Sequence, residues 1–134
     1  MSRTNARKNA FYLIFQKDFV GMEGMDEAKE NFYAENSDIN DADKKFIDDT
    51  VDGTFKNIEK IDSLISGAAK GWSVERMAKV DIAILRLAVY ELLFGDAPKK
   101  VVINEAVEMA KKYSSDNSPS FINGILGKIV SEIE

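Results

Sequence analysis

No cysteine and no histidine occur among the 134 residues, and the two absences remove most of the familiar chemistry. Without cysteine there is neither a disulfide framework nor a thiolate zinc site. Without histidine there is no Ser-His or Cys-His nucleophile pair, no imidazole metal site and no ordinary neutral-pH acid-base group. An enzyme built from this chain would have to work with carboxylates, lysines and hydroxyls. Long apolar runs are missing too: none approaches the roughly 20 residues of a membrane span, and the polar start holds no hydrophobic signal-peptide segment. A cytoplasmic protein without membrane association is the expectation. The length suits one domain, residues 1–134, able to bury a core without disulfides or metals.

The net charge of −5 hides an uneven distribution. Residues 1–18 carry Arg3, Arg7, Lys8 and Lys17 against Asp18 alone, whereas Glu23 to Asp52 holds eleven carboxylates against Lys29, Lys44 and Lys45. A cationic arm of this kind attracts phosphates even on an acidic molecule, because salt screens charges more than about 8 to 10 Å away. Read from charge alone, the simpler account is that these residues solvate a terminus.

What is present in abundance is helical periodicity. Phe11, Ile14, Phe15 and Phe19 recur at three- and four-residue steps and predict a first helix over roughly residues 4–20, ended by Gly21 and Gly24. A weaker amphipathic segment follows over roughly Asp26 to Glu35. The polar run NSDIND resembles a calcium loop only superficially, since the required glycine is Asp43 and the bidentate Glu is Asp49. It reads better as capping chemistry, with Asn40 or Asp41 as N-cap. Phe46, Ile47, Val51, Phe55, Ile58, Ile61, Leu64, Ile65 and Ala68 then form one long stripe, either a single helix or two hinged at Gly53. Gly71 closes it, and Ser73 can cap a short turn into VDIAILRLAVYELLF. That segment is apolar on nearly every side, as a central helix must be. Another amphipathic helix, VVINEAVEMAKKY, starts near Pro98 or at Asn104 as N-cap. Ser118 and Pro119 then form an N-cap and N1 pair before a last stripe from Phe121 to Ile133. No strand candidate survives. The fold class is all-α, a bundle of about six or seven helices.

Asn104 with Glu105, and Asn123 with Gly124, interrupt regular helical patterns with residues that cost up to about 1 kcal/mol against Ala. Capping or cross-bracing by the asparagines, and close helix approach at Gly124 and Gly127, are the expected compensations.

In order along the chain, ARKNAFYLIFQ, DIAILRLAVYELL, Pro98 followed by VVINEAVEMAKKY, and FINGILGKI resemble the NusB family of bacterial transcription antitermination factors. The resemblance spans nearly the whole chain. It implies two packed helical sub-bundles, no catalysis, no cofactor or metal, and binding of the single-stranded boxA element of nascent RNA. It also implies a protein partner, NusE, a small-subunit ribosomal protein, with other Nus factors and RNA polymerase engaged indirectly.

Carried over residue by residue, the resemblance puts Arg3, Arg7 and Lys8 against the RNA backbone, in an arm thinned by Thr4, Asn5 and Ala6. Cations suit this task because each neutralised phosphate releases counterions. Phe15, Tyr113 and Phe121 match positions near the RNA, and stacking on such rings accepts any base. Phe15 and Phe121 also lie on core stripes. Asn117 stands where some relatives have Asp, and its amide can donate to a phosphate where a carboxylate would repel it. The stretch from Ser73 to Asp81 matches the NusE-binding surface, with Glu75 and Asp81 offering carboxylates to a basic partner, although acids in a helix's first turn are favourable without one. Two other readings compete: a helical protein-interaction module that binds no RNA, and a stand-alone relative of the RNA-binding domain of ribosomal RNA cytosine methyltransferases. For the latter the chain lacks a methyl-donor domain and the cysteines such enzymes use.

Overall fold

Seven helices account for the chain in a computed structural model that describes all 134 residues. They are α1 (Arg3–Val20), α2 (Met25–Glu35), α3 (Asp41–Lys56), α4 (Ile58–Ala68), α5 (Lys79–Phe94), α6 (Lys99–Tyr113) and α7 (Ser118–Ile133). There is no strand.

The central position of α5 follows from its composition. Every residue from Asp81 to Val89 is buried, so the helix needs neighbours all round. It packs on α1 and α3 on one side, with α2 against α1, and on α4, α6 and α7 on the other. These are the two sub-bundles. One hydrophobic cluster draws on all seven helices, with Leu13, Ile14, Ile47, Ile65, Leu85 and Leu126 wholly or almost wholly buried. Burying side chains of this size contributes about 1.5 to 3 kcal/mol each.

Helix boundaries show which local signals prevailed. Asn40 caps α3, its side chain accepting from the Asp43 N–H at 2.9 Å. Gly21 ends α1 at φ 72°, a left-handed value that favours glycine. The hinge expected at Gly53 lies instead at Asn57. There the side-chain amide donates to the Gly53 carbonyl at 2.8 Å and the backbone leaves helical geometry at φ −110°, ψ 22°. Gly53 itself stays helical and serves packing, since a Cβ there would lie 2.3 Å from the Tyr90 ring. The α6 helix starts after Pro98, and Asn104 is an exposed mid-helix residue rather than a cap.

Three further expectations are corrected. Ser118 is the first residue of α7 rather than its cap, and Pro119 follows it inside the first turn. Its hydroxyl is turned to Asp81, so it cannot serve the helix end. Neither Asn104 nor Asn123 braces anything: both are exposed, and neither side chain makes a hydrogen bond within the chain. Gly124 and Gly127 permit no close approach either, because a Cβ at each would meet open space. The partner of this cluster that does brace is Glu105, which accepts from Thr4 Oγ1 at 2.6 Å and ties α6 to α1.

Candidate nucleic-acid interface

On α1, Lys8, Tyr12, Phe15 and Phe19 follow four-, three- and four-residue steps and therefore share a face. Against that face lie Val80 from the start of α5 and Tyr113 from the end of α6. Lys8, Asn9, Phe11, Tyr12, Phe15, Val80 and Tyr113 line a groove of about 440 Å³. Its aromatic lining is ordered: Phe11 stacks on Tyr113 with centroids 5.5 Å apart, Phe15 lies 6.1 Å from Phe11, and Phe19 meets Phe15 edge-on at 5.0 Å. Tyr12 and Phe19 are 46% and 66% exposed, rings that water covers at a cost. Lys8 and Lys112 are exposed and line a shallow pocket together with Tyr113, the Lys112 ammonium 5.5 Å from the ring centroid.

A second cleft of about 340 Å³ lies close to the first in the chain, since its Asp81 follows the groove's Val80 and its Ser115 lies two residues beyond the groove's Tyr113. Trp72, Arg76, Asp81, Asn117, Ser118 and Phe121 are among the residues that line it. Trp72 is 55% exposed.

The sequence-predicted residues distribute unevenly over this surface. Lys8, Phe15 and Tyr113 come together in the groove, and Asn117 and Phe121 in the cleft beside it. Phe15, Tyr113 and Phe121 are half-buried, so each presents part of a ring while anchoring the rest in the core. Arg3 does not join them: it lies on another face of α1, its guanidinium 4.0 Å from the Phe46 centroid, in a cleft shared with Asp49 and Asp96. Arg7 is withdrawn altogether. It is buried at 5% exposure, with Nε 3.0 and 2.9 Å from the two oxygens of Glu91 and Nη1 3.6 Å from Glu105. Its guanidinium is held by Glu91 and Glu105 and is not part of the aromatic groove. Burial raises the Glu91 carboxyl pKa, and the charge and hydrogen bond of Arg7 oppose that shift. Of the two acids expected at a partner surface, Glu75 is exposed in the short turn Val74–Arg76, whereas Asp81 is buried and hydrogen-bonded to Ser114 and Ser118.

Over residues 4–131 the chain matches the family model described as the NusB family. The chain belongs to the NusB family. It is 48% identical to the transcription antitermination protein NusB of Acetivibrio thermocellus, over 97% of this chain and 89% of that protein. Among solved structures, T. maritima NusB is 38% identical with a TM-score of 0.90, covering 98% of this chain and 92% of that one. A crystal structure of the antitermination factors NusB and NusE in complex with double-stranded RNA contains a chain 29% identical, TM-score 0.86, covering 97% of this chain and 96% of that one. The NusB likeness thus extends from sequence blocks to the whole helical arrangement.

Several groove residues escaped the sequence reading. Periodicity places Phe11 only on the core stripe, and it does not single out Tyr12, Lys112 or Trp72. Lys112 offered a signal in its place next to Tyr113. Trp72 carried one in its identity, an indole next to Gly71 in a polar turn.

Proposed function

We propose that the protein is a transcription antitermination factor that binds single-stranded RNA of the boxA type together with NusE. The observation that carries this reading is the aromatic groove between α1 and the end of α6, with Lys8 and Lys112 beside Tyr113. Exposed rings stack on unpaired bases at about 1 to 3 kcal/mol per base, and the lysines meet the backbone phosphates. The relatives named as transcription antitermination proteins support it, as does the NusB–NusE complex that contains RNA. That complex holds a duplex. An aromatic groove favours unpaired bases instead, because duplex bases already cover one another's π faces. NusE approaches the turn around Glu75, next to Trp72 and Arg76, where an exposed carboxylate orients a basic partner. Other Nus factors and RNA polymerase are reached through that assembly. The reading assigns the chain no catalysis and no cofactor, and a cytoplasmic place of action.

Fluorescence anisotropy with a boxA-like single-stranded RNA and its duplex, each with and without NusE, tests the reading. Single-stranded RNA is expected to bind more tightly than duplex, with a salt-dependent affinity that NusE strengthens, and Glu75→Lys is expected to remove that strengthening. RNA binding absent both with and without NusE would leave a protein-interaction module in its place.

A further inference from the structure

Asp81, at the start of α5, is 7% exposed and has no cationic partner within ion-pair distance. Its charge is met by hydroxyls instead. Oδ1 accepts from Ser114 Oγ at 2.5 Å, and Oδ2 accepts from Ser118 Oγ at 3.0 Å. The two serine hydroxyls lie 2.9 Å from each other, and Ser115 Oγ is 2.9 Å from Ser118 Oγ. Ser114 and Ser115 lie in the junction between α6 and α7 and Ser118 opens α7, so the three span the segment between Tyr113 and Phe121 that also holds Asn117.

We propose that Asp81 is a positioning residue for RNA: its carboxylate gathers the serine junction into the shape that aligns Tyr113 with Asn117 and Phe121 across the two clefts. The inference rests on the RNA reading above and deepens it. A junction of small polar residues samples many conformations when free, and every conformation lost on binding weakens the complex. A carboxylate holding two hydroxyls removes that freedom in advance, and hydrogen bonds to a charged group are roughly twice as strong as neutral ones. Direct capture of a basic partner by Asp81 is opposed by the same geometry, since the side chain is covered and both oxygens are engaged. The acid expected at the partner surface therefore acts toward the RNA surface. It does so from beneath, through Ser114 and Ser118.

Thermodynamics fixes the expected effect. If only a fraction of the molecules keeps the junction ordered, the apparent Kd rises by the inverse of that fraction. In the full chain, Asp81→Ala is expected to weaken binding of a boxA-like single-stranded RNA about five- to tenfold. The salt slope stays as in the parent protein, because no phosphate contact is lost. Amide exchange at residues 114–118 speeds up while the interior of α5 stays protected. Ser118→Ala, the milder change, reproduces part of the loss and is not additive with Asp81→Ala. Asp81→Asn keeps an acceptor and adds a donor that the rotatable hydroxyls can meet, and it restores affinity to within about twofold. RNA affinity unchanged in both Asp81→Ala and Ser118→Ala would overturn the proposal. So would tighter RNA binding by Asp81→Asn, which would make Asp81 a mere repulsive charge. Weaker NusE binding by Asp81→Ala at unchanged RNA affinity would make it a partner contact. If Lys8→Ala and Tyr113→Ala also leave RNA binding untouched, the RNA reading itself fails, and this inference with it.

Discussion

The guanidinium of Arg7 and the carboxylate of Glu91 form a buried pair across α1 and α5, each side chain 6% exposed, with Nε within 3.0 Å of both carboxylate oxygens. A pair of this kind is weak evidence for net stability, but breaking it is costly because the remaining charge stays buried alone. It fixes the N-terminal half of α1, and with it the angle at which Lys8 and Tyr12 meet the groove.

The first prediction follows from that pair. Burial raises the Glu91 carboxyl pKa, with Arg7 pulling it down. A carboxyl raised in the folded state binds protons more readily there than in the unfolded chain. Stability from this group therefore falls as pH rises from the unfolded carboxyl value toward the folded one, and levels off above it. Removing Arg7 removes the main opposing influence, so Glu91 titrates higher still and the lost stability grows with pH across the interval. Arg7→Ala is expected to cost about 3 to 5 kcal/mol at neutral pH and distinctly less near pH 5, measured by urea denaturation. A loss that is equal at the two pH values would show that Arg7 acts through packing and not through Glu91.

Charge substitutions on α1 and α6 separate the groove from the other faces. Lys8→Ala and Lys112→Ala are each expected to flatten the salt dependence of RNA affinity by about 0.7 in the log–log slope, the value for one phosphate contact on a single strand. Thermal stability should not change, since both side chains are exposed. Arg3→Ala should leave the slope near that of the parent protein, because its guanidinium rests on Phe46 beside Asp49 and Asp96. Equal slopes for all three variants and the parent would remove the lysines from the RNA site.

The contrast between Arg3, Arg7 and Lys8 marks where the sequence stops being legible. Periodicity located the helices within a residue or two in most cases, and the apolar character of residues 80–94 identified the central helix, because burial on all sides leaves a compositional trace. The face of each arm cation depends on helix phase relative to partners distant in sequence. Glu91 is 84 residues from Arg7, and nothing local announces it. Asp81 shows the same limit. Its position in a first turn suggested dipole electrostatics or a partner, whereas the hydroxyls that occupy it lie 33 and 37 residues away. The hinge moved from Gly53 to Asn57 for a different reason. Glycine flexibility is a permission, and Tyr90 used it for packing.

Gly124 offers a test of stability without contacts. It is exposed within α7, and an added Cβ would touch nothing. Gly124→Ala is expected to stabilise the protein by about 0.5 to 1 kcal/mol, chiefly by restricting the unfolded chain. The midpoint of urea unfolding should rise at constant m-value. A fall in stability would mean that something packs on this face.

The last prediction concerns Asn117, which is exposed at the N-terminal boundary of α7 and lines the cleft with Phe121. Its side chain makes no capping hydrogen bond, so the amide is free to donate outward. Two effects oppose each other in Asn117→Asp. Near the helix N-terminus a carboxylate is favourable to the fold, by about 0.3 to 1 kcal/mol at low ionic strength. At an RNA surface the same carboxylate repels phosphate and loses the amide donor. The variant should therefore melt at the same temperature as the parent or slightly above, yet bind single-stranded RNA more weakly at low salt, by on the order of 1 kcal/mol or less. The difference should shrink as salt is raised, because the site is exposed and screened. Asn and Asp serve turns about equally well, so a residue that only forms the turn would leave RNA affinity unchanged. Equal RNA affinities for Asn117→Asp and the parent at low salt would therefore assign Asn117 to the turn alone and remove it from the RNA surface.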